Sequence, residues 1–357
     1  MSGSKRVYKV RKEGKAYEYE GGALDTLSNE FKALNTKKGL SLSPQTLKSY
    51  ISKVNRIAIL ATGKPYENSK FLQNADKVIK DIESSTLKSK KDYLAAITKL
   101  LRSKDVDEDI LKKYSTAMIK EKEHETKARG DNLAKKKDIE KTDGKTLKEI
   151  QNEITNYSIM DGDKLDEDRL INKLLASFYF MNMDSNGLPI FVPRNDLPEF
   201  KIISLNRTRK PVPAEHNYLV VDGNNKPVKI IMKNYKTKAT YGTQSFKIAP
   251  ILTNLLIKYL DVYNKRPGDW LFVDKNGKPF KHTTFAAIIE KAMNDVLGSR
   301  IGIDLARQIV ISNIYNDNGL MTINQKNEVA RAFLHSASMA NEYVRPDLVP
   351  SKASSKE

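Results

Sequence analysis

Residues 217–250, NYLVVDGNNKPVKIIMKNYKTKATYGTQSFKIAP, constrain the fold more than any other stretch of the chain. Three β-rich runs (217–221, 228–233 and 244–249) are separated by the turn-forming DGNNKP and by NYKTKATYG. Gaps this short cannot hold the crossover that parallel neighbours need, so the runs predict a three-stranded antiparallel meander. Around it the text is helical. Apolar periodicity predicts helices at about 251–263, 283–297, 304–316 and 324–334, and an amphipathic helix in LDEDRLINKLLASFYFMN just upstream. Between that helix and the meander, GLPIFVPRNDLPEFKIISL holds three prolines and reads as a loop over a core.

The first third has a different character. In SLSPQTLKSYISKVNRIAILATG (41–63), Ser43 is placed as N-cap with Pro44 at the first helical position. Leu47, Tyr50, Ile51, Val54, Ile57 and Ala58 form its apolar stripe. NADKVIKDIESS and KKDYLAAITKLLRSK are further amphipathic helices, so 21–115 reads as a compact, basic, all-helical domain. Residues 1–20 alternate as a possible hairpin, VYKV against AYEYE. Residues 116–146 are almost wholly polar and read as a basic charged helix and linker leading into a mixed domain at 147–345, with 346–357 as a tail whose last six or so residues are expected to be disordered. The expected class is mainly α with a small antiparallel β-meander (α+β), in two principal domains.

A net charge of +18 favours a polyanionic partner, because each Lys or Arg set against a phosphate releases condensed counterions. Membrane surfaces also attract basic chains, but no apolar run approaches the roughly 20 residues of a spanning helix. The first twenty residues lack a secretory apolar core. The expectation is a soluble intracellular protein that meets nucleic acid and is not secreted. With no cysteine, disulfides, thiolate zinc sites and a cysteine nucleophile are excluded. The four histidines (His124, His216, His282, His335) are too scattered to pair as metal ligands, and no cofactor is expected.

In the second half, Arg194 in VPRND, Lys236 in NYKTK, Arg307 in DLARQ, then His335 and Tyr343 in AFLHSASMANEYVRPD follow one another in an order that resembles the tyrosine recombinase (phage integrase) family. The resemblance covers about residues 40–345 and looks closest to the divergent recombinases of eukaryotic mobile elements and large DNA viruses. It implies a site-specific recombinase or integrase that cuts and rejoins DNA through a 3′-phosphotyrosyl intermediate, without metal or ATP. It implies Tyr343 as nucleophile, Arg194 and Arg307 as phosphate clamps, Lys236 as general acid, and His335 as phosphate or proton-relay partner. The helical domain would then be the clamp on double-stranded DNA, two copies on a site and four in synapsis are implied, and so is a location where DNA is present, in a nucleus, viral factory or cytoplasm.

The chemistry accounts for such a set. A tyrosine hydroxyl is mostly protonated at neutral pH, guanidiniums match phosphate geometry, and a lysine on a hairpin can protonate the leaving 5′ oxygen. DNA-contacting lysines are expected in the 133–137 run (Lys135, Lys136, Lys137) and on the hairpin (Lys233, Lys238), where they compete with Lys236 for the acid's role. Asp304 departs from the family pattern, which usually carries histidine three residues before the second arginine. It reads mainly as the N-cap of the helix that starts there, secondarily as a group orienting Arg307. Its acid charge leaves a catalytically weakened DNA-binding protein as one alternative, and a type IB topoisomerase-like DNA-relaxing enzyme as another. A tyrosine eight residues beyond His335 on a helix starting after Ser336 would lie about 10 Å further along it, so the two side chains are not expected to touch.

Overall fold

The meander predicted over 217–250 is the frame of the larger half of the molecule. In the computed structural model, which describes residues 7–12, 15–20, 26–31, 44–102, 104, 106–128, 133–317 and 321–349, the chain forms two compact units, Met1–Gly130 and Asp131–Glu357. The architecture is mainly helical with small sheets. The cap expected of Ser43 and the end of the tail beyond 349 lie outside the described residues.

The first unit is helical apart from one antiparallel hairpin, β1 (Val7–Lys12) with β2 (Lys15–Glu20). Its helices among the described residues include 26–31, Pro44–Thr62, Ala75–Ser84, Lys90–Leu101 and Glu108–Ala128. The predicted stripe is divided: Val54, Ile57 and Ala58 are buried in the core with Leu94, Ile97 and Tyr114, and Leu47, Tyr50 and Ile51 pack at its border. The polar text after residue 115 begins as the continuation of the last helix, which runs to Ala128.

In the second unit, two-residue strands β3 (Met160–Asp161) and β4 (Lys164–Leu165) pair beside the start of helix Glu167–Phe180. That helix has Asp166 as N-cap, accepting from Arg169 N at 2.9 Å. Its last turns, Leu174 to Phe180, are buried on every side, as befits a helix apolar all round. The sheet has four strands in the order β5 (Phe200–Ser204), β6 (Asn217–Val221), β7 (Pro227–Met232) and β8 (Gln244–Lys247). The last three are the predicted antiparallel meander. Strand β5 corrects the loop expected over 187–205: it pairs in parallel with β6. Prolines punctuate the text before it, and a parallel partner twelve residues downstream leaves no local turn signal.

Three turns share one design, DSNGLP (184–189), DGNNKP (222–227) and DKNGKP (274–279). In each, the aspartate's Oδ1 accepts two backbone N–H groups at 2.8–3.0 Å. The fourth residue (Gly187, Asn225, Gly277) is left-handed, which glycine and asparagine tolerate best.

The unit's other helices include Lys136–Thr142, Leu147–Asn156, Pro250–Val262, His282–Leu297, Ile303–Asp317, Ile323–Ala332 and Ala337–Asn341. Among the described residues no helix is long and apolar enough to cross a membrane.

Candidate active site

The site is built where the segment carrying Arg194 is clamped between two helices. Val192 N donates to Ala332 O at 3.0 Å, and Val192 O accepts from Arg307 Nη1 at 2.7 Å. Tyr179 OH donates to Arg194 O at 3.2 Å. Asn195 is held by His282: its Nδ2 donates to His282 O at 2.7 Å, and the imidazole Nδ1 meets Asn195 O at 2.5 Å. His282 Nε2 in turn contacts Glu199 Oε1 at 2.9 Å, and this hydrogen bond raises the imidazole's pKa. The half-buried guanidinium of Arg194 is thus carried on a backbone fixed at three points.

Arg307 lies one turn into the Ile303–Asp317 helix, which is buried from Leu305 to Ile314 except at the half-buried Gln308. The arginine is itself 0% exposed. An arginine in such a place needs partners. Besides the bond to Val192 O, its Nη2 donates to Phe333 O at 2.9 Å and approaches His335 Nε2 at 3.0 Å. Its Cζ lies 5.0 Å from the Phe333 ring centroid and 5.6 Å from that of Tyr343. Burial pulls its pKa down to about 10, with Tyr343 opposing, so the group stays cationic at neutral pH.

The Ile323–Ala332 helix ends in a Schellman turn without glycine. Leu334 N donates to Arg331 O and His335 N to Ala330 O, both at 2.9 Å, with Leu334 at φ +55°. Left-handed backbone costs a leucine about 1–2 kcal/mol. The leucine side chain is 2% exposed, and truncating such a side chain typically costs about 2–5 kcal/mol, so its burial outweighs the strain. The turn leaves Phe333 O free for Arg307 and Leu334 O for the Thr237 hydroxyl, 2.8 Å away.

His335 is 4% exposed, and its Nε2 contacts both Arg194 and Arg307. Guanidiniums only donate, so Nε2 is the acceptor and the proton of the neutral ring is on Nδ1. That Nδ1 is buried with no hydrogen-bond partner. Burial, then Arg307, Arg194 and Lys236, push the imidazole's pKa down to about 3. His335 is therefore a neutral acceptor among cations.

Tyr343 corrects the expected separation. Ser336 is the N-cap, accepting from Met339 N at 3.2 Å, but the helix stops at Asn341 and the chain turns, with Tyr343 N donating to Ala340 O at 3.0 Å. The half-buried ring returns to 4.9 Å from the His335 ring. The following residues are anchored within the same unit: Arg345 N donates to Ser312 Oγ at 2.7 Å, and Ala134 N to both Asp347 oxygens at 2.8 and 2.9 Å. Leu348 is buried, so the expected tail from 346 begins as packed structure.

The three hairpin lysines are separated by their partners. Lys233 Nζ donates to Val212 O at 2.7 Å and Lys238 Nζ to Ala214 O at 3.4 Å. Lys236 is exposed in the loop between β7 and β8, and its ammonium bears on His335. Asp304 is exposed and does not occupy the cap position: the helix starts one residue earlier, at Ile303, leaving Asp304 in the first turn. Arg307's Nη donors go to Val192, Phe333 and His335, and its Nε is buried without a partner, so none goes to Asp304. Lys135, Lys136 and Lys137 are exposed at the start of helix Lys136–Thr142, whereas position 133 is Leu133, an exposed apolar side chain and no phosphate contact.

Sequence reading missed Asp196 as a member of the site. One of its carboxylate oxygens is buried without a partner, and burial raises its pKa against the opposing pull of Arg307 and Arg194. Its position two residues after Arg194 was the available signal. The backbone acceptors Val192 O, Phe333 O and Leu334 O carry no sequence signal. Among the described residues no group of three or more His, Asp or Glu side chains is arranged to hold a metal ion. Arg194, Arg307 and Lys236 thus bring three cations to bear on His335, an arrangement suited to an anion that presents several oxygens.

No family model matches the chain, and no curated protein matches it. Among solved structures the chain is similar to the crystal structure of XerA recombinase, over 90% of this chain and 94% of that one, at 11% identity and a TM-score of 0.33, a likeness too loose to assign a fold.

Proposed function

We propose that the second unit cleaves and rejoins DNA through a 3′-phosphotyrosyl intermediate, as a tyrosine recombinase does. The observation that carries this reading is the convergence of Arg194, Arg307 and Tyr343 on His335, with the Lys236 ammonium acting on the same ring.

In this reading a phosphodiester takes the guanidinium donors that now meet on His335 Nε2. The Tyr343 oxygen attacks phosphorus and the bond to the 5′ oxygen breaks. Lys236 gives its proton to that oxygen and becomes a neutral amine. The tyrosine's proton passes to His335 Nε2, whose lone pair is released as the guanidiniums turn to the phosphate, or to solvent. Arg194 and Arg307 offset the charge that builds on the non-bridging oxygens. Retention of the bond energy in the phosphotyrosine allows religation without ATP. The basic helical first unit and, in the second unit, Lys135, Lys136 and Lys137 are assigned to backbone contacts, which position the duplex without reading its sequence. Copies pairing on a site and assembling in fours for strand exchange belong to the same proposal.

Asp304 favours a second reading, a DNA-binding chain of weakened catalysis, because it puts an exposed acid where the family places a histidine. A nicked suicide DNA substrate tests both. The expected result is a covalent protein–DNA adduct that forms in EDTA and is lost in Tyr343→Phe. An adduct that survives the substitution overturns the nucleophile, and DNA binding with no adduct selects the second reading. Relaxation of plasmids lacking a specific site, without strand exchange, identifies a topoisomerase-like enzyme.

A further inference from the structure

Thr237 touches none of the phosphate-facing groups, yet it ties the lysine loop to the turn that carries His335. Its hydroxyl donates to Leu334 O at 2.8 Å, across 97 residues of sequence. The neighbour of one partner is Lys236, and the neighbour of the other is His335. Among the described residues this is the one hydrogen bond joining residues 234–242 to the 333–336 turn.

The loop's other bonds either shape it or tie it to the 199–217 side, where Asn234 Nδ2 donates to Glu199 Oε2 at 2.7 Å and to Glu215 O at 2.9 Å, and none of them reaches the turn that carries His335. Lys238 N donates to Tyr235 O at 3.1 Å, Thr240 N to Thr237 O at 3.0 Å, and Tyr235 OH to Gly242 O at 2.6 Å, all within the loop. Lys233 and Lys238 are engaged with the carbonyls of Val212 and Ala214.

Thr237 also forgoes its usual local role. It is the N-cap of the short helix Lys238–Tyr241, where a threonine side chain ordinarily accepts a bond from the first turn, but it makes no such cap bond. The hydroxyl is committed to Leu334 O instead. That acceptor is presented because Leu334 holds the left-handed conformation at φ +55°.

We propose that Thr237 is a positioning residue for the proton-donating lysine: its hydroxyl locks the 234–242 loop onto Leu334 O and so sets where the Lys236 ammonium meets the scissile phosphate. The role rests on the phosphotyrosyl chemistry proposed above. It concerns one transfer in that chemistry, the proton that moves from Lys236 Nζ to the 5′ oxygen as the phosphorus–oxygen bond breaks. Loss of the lock leaves Tyr343, Arg194 and Arg307 in place and misplaces only the acid.

The test compares wild type, Thr237→Val and Thr237→Ser on two DNA substrates, one ordinary and one with sulfur replacing the bridging 5′ oxygen at the scissile phosphate. A thiolate leaves without a proton, so the sulfur substrate does not need the lysine. Thr237→Val, which keeps the shape and loses the hydroxyl, should form adduct about 10- to 100-fold more slowly on the oxygen substrate. It should match wild type on the sulfur substrate, and Lys236→Met should show the same split. Thr237→Ser should behave as wild type on both. In parallel, tryptic cleavage after Lys236 should accelerate in Thr237→Val and not in Thr237→Ser.

Equal rates for wild type and Thr237→Val on the oxygen substrate overturn the positioning role alone, as does equal slowing on both substrates or an unchanged tryptic rate. No adduct from wild type on either substrate overturns the phosphotyrosyl reading, and the positioning role with it.

Discussion

Lowering the pH from 8 to 5 should destabilise the folded protein through His335, and His335→Gln should remove that share. Burial and the Arg307, Arg194 and Lys236 charges hold the folded imidazole's pKa at about 3, against about 6.5 in an unfolded chain. The folded value is the lower one. Above pH 6.5 the ring is neutral in both states and the full stability is present. Below it the unfolded chain takes up a proton that the folded chain refuses, at about 1.4 kcal/mol per pH unit. Between pH 6.5 and 5 this amounts to about 2 kcal/mol at most. Arg194 is only half-buried and can turn aside to relieve the ring, so about half of that is the expected loss.

Two neighbours titrate with the opposite sign. Asp196, raised by burial, gives stability that fades as pH rises through its folded value. His282, raised by its bond to Glu199, is already charged in both states well below pH 6.5. The glutamine variant keeps an acceptor for the guanidiniums and lacks the titration, so the difference between the two proteins isolates His335. Urea unfolding at pH 8, 6.5, 5.5 and 5 provides the measurement. Duplex DNA should shrink the difference, because a phosphate between the arginines favours the protonated ring. Parallel stability curves for wild type and His335→Gln would refute a histidine held neutral by buried cations.

Three further outcomes follow from the same geometry. Arg307→Lys cannot serve both Val192 O and Phe333 O, and a buried carbonyl left without its donor costs about 1–3 kcal/mol, so urea unfolding should show a loss in that range. Adduct formation should fall by about 100-fold or more. Lys236→Met should alter stability by less than about 0.5 kcal/mol while slowing cleavage of ordinary DNA at least as much as Thr237→Val does. Lys233→Met should do the reverse, keeping cleavage and losing about 1 kcal/mol with the bond to Val212 O, and cleavage lost in Lys233→Met would exchange the two roles. Asp304→His should raise the rate of adduct formation at a cost in helix stability of less than about 1 kcal/mol, and an unchanged rate would leave Asp304 as a first-turn acid and nothing more.

The long helices and the meander were legible because their signals are local: a period near 3.6 in 282–297 and 303–317, and alternation between turn residues in 217–250. Strand β5 was not, since its pairing with β6 is parallel and its text is prefaced by prolines. The separation of His335 and Tyr343 was misjudged for a related reason. Continuing a helix through 344 puts two turns between them, but the structure ends it at Asn341. Arg345 N on Ser312 Oγ and the Asp347 carboxylate on Ala134 N draw the chain aside there, and those partners lie 33 and 213 residues away in sequence.

By itself the sequence determined which chemistry was available: no thiol, a large excess of positive charge, and arginine, lysine, arginine, histidine and tyrosine in that order. It also determined the helices and the hairpin that carry them, because backbone periodicity and turn residues act over a few neighbours. Only the tertiary structure decided that His335 is a neutral acceptor, that Lys236 and not Lys233 or Lys238 acts on it, and that a buried Arg307 is held by two backbone carbonyls. Each of these depends on burial and on charges brought close through space, and residues remote along the chain supply both.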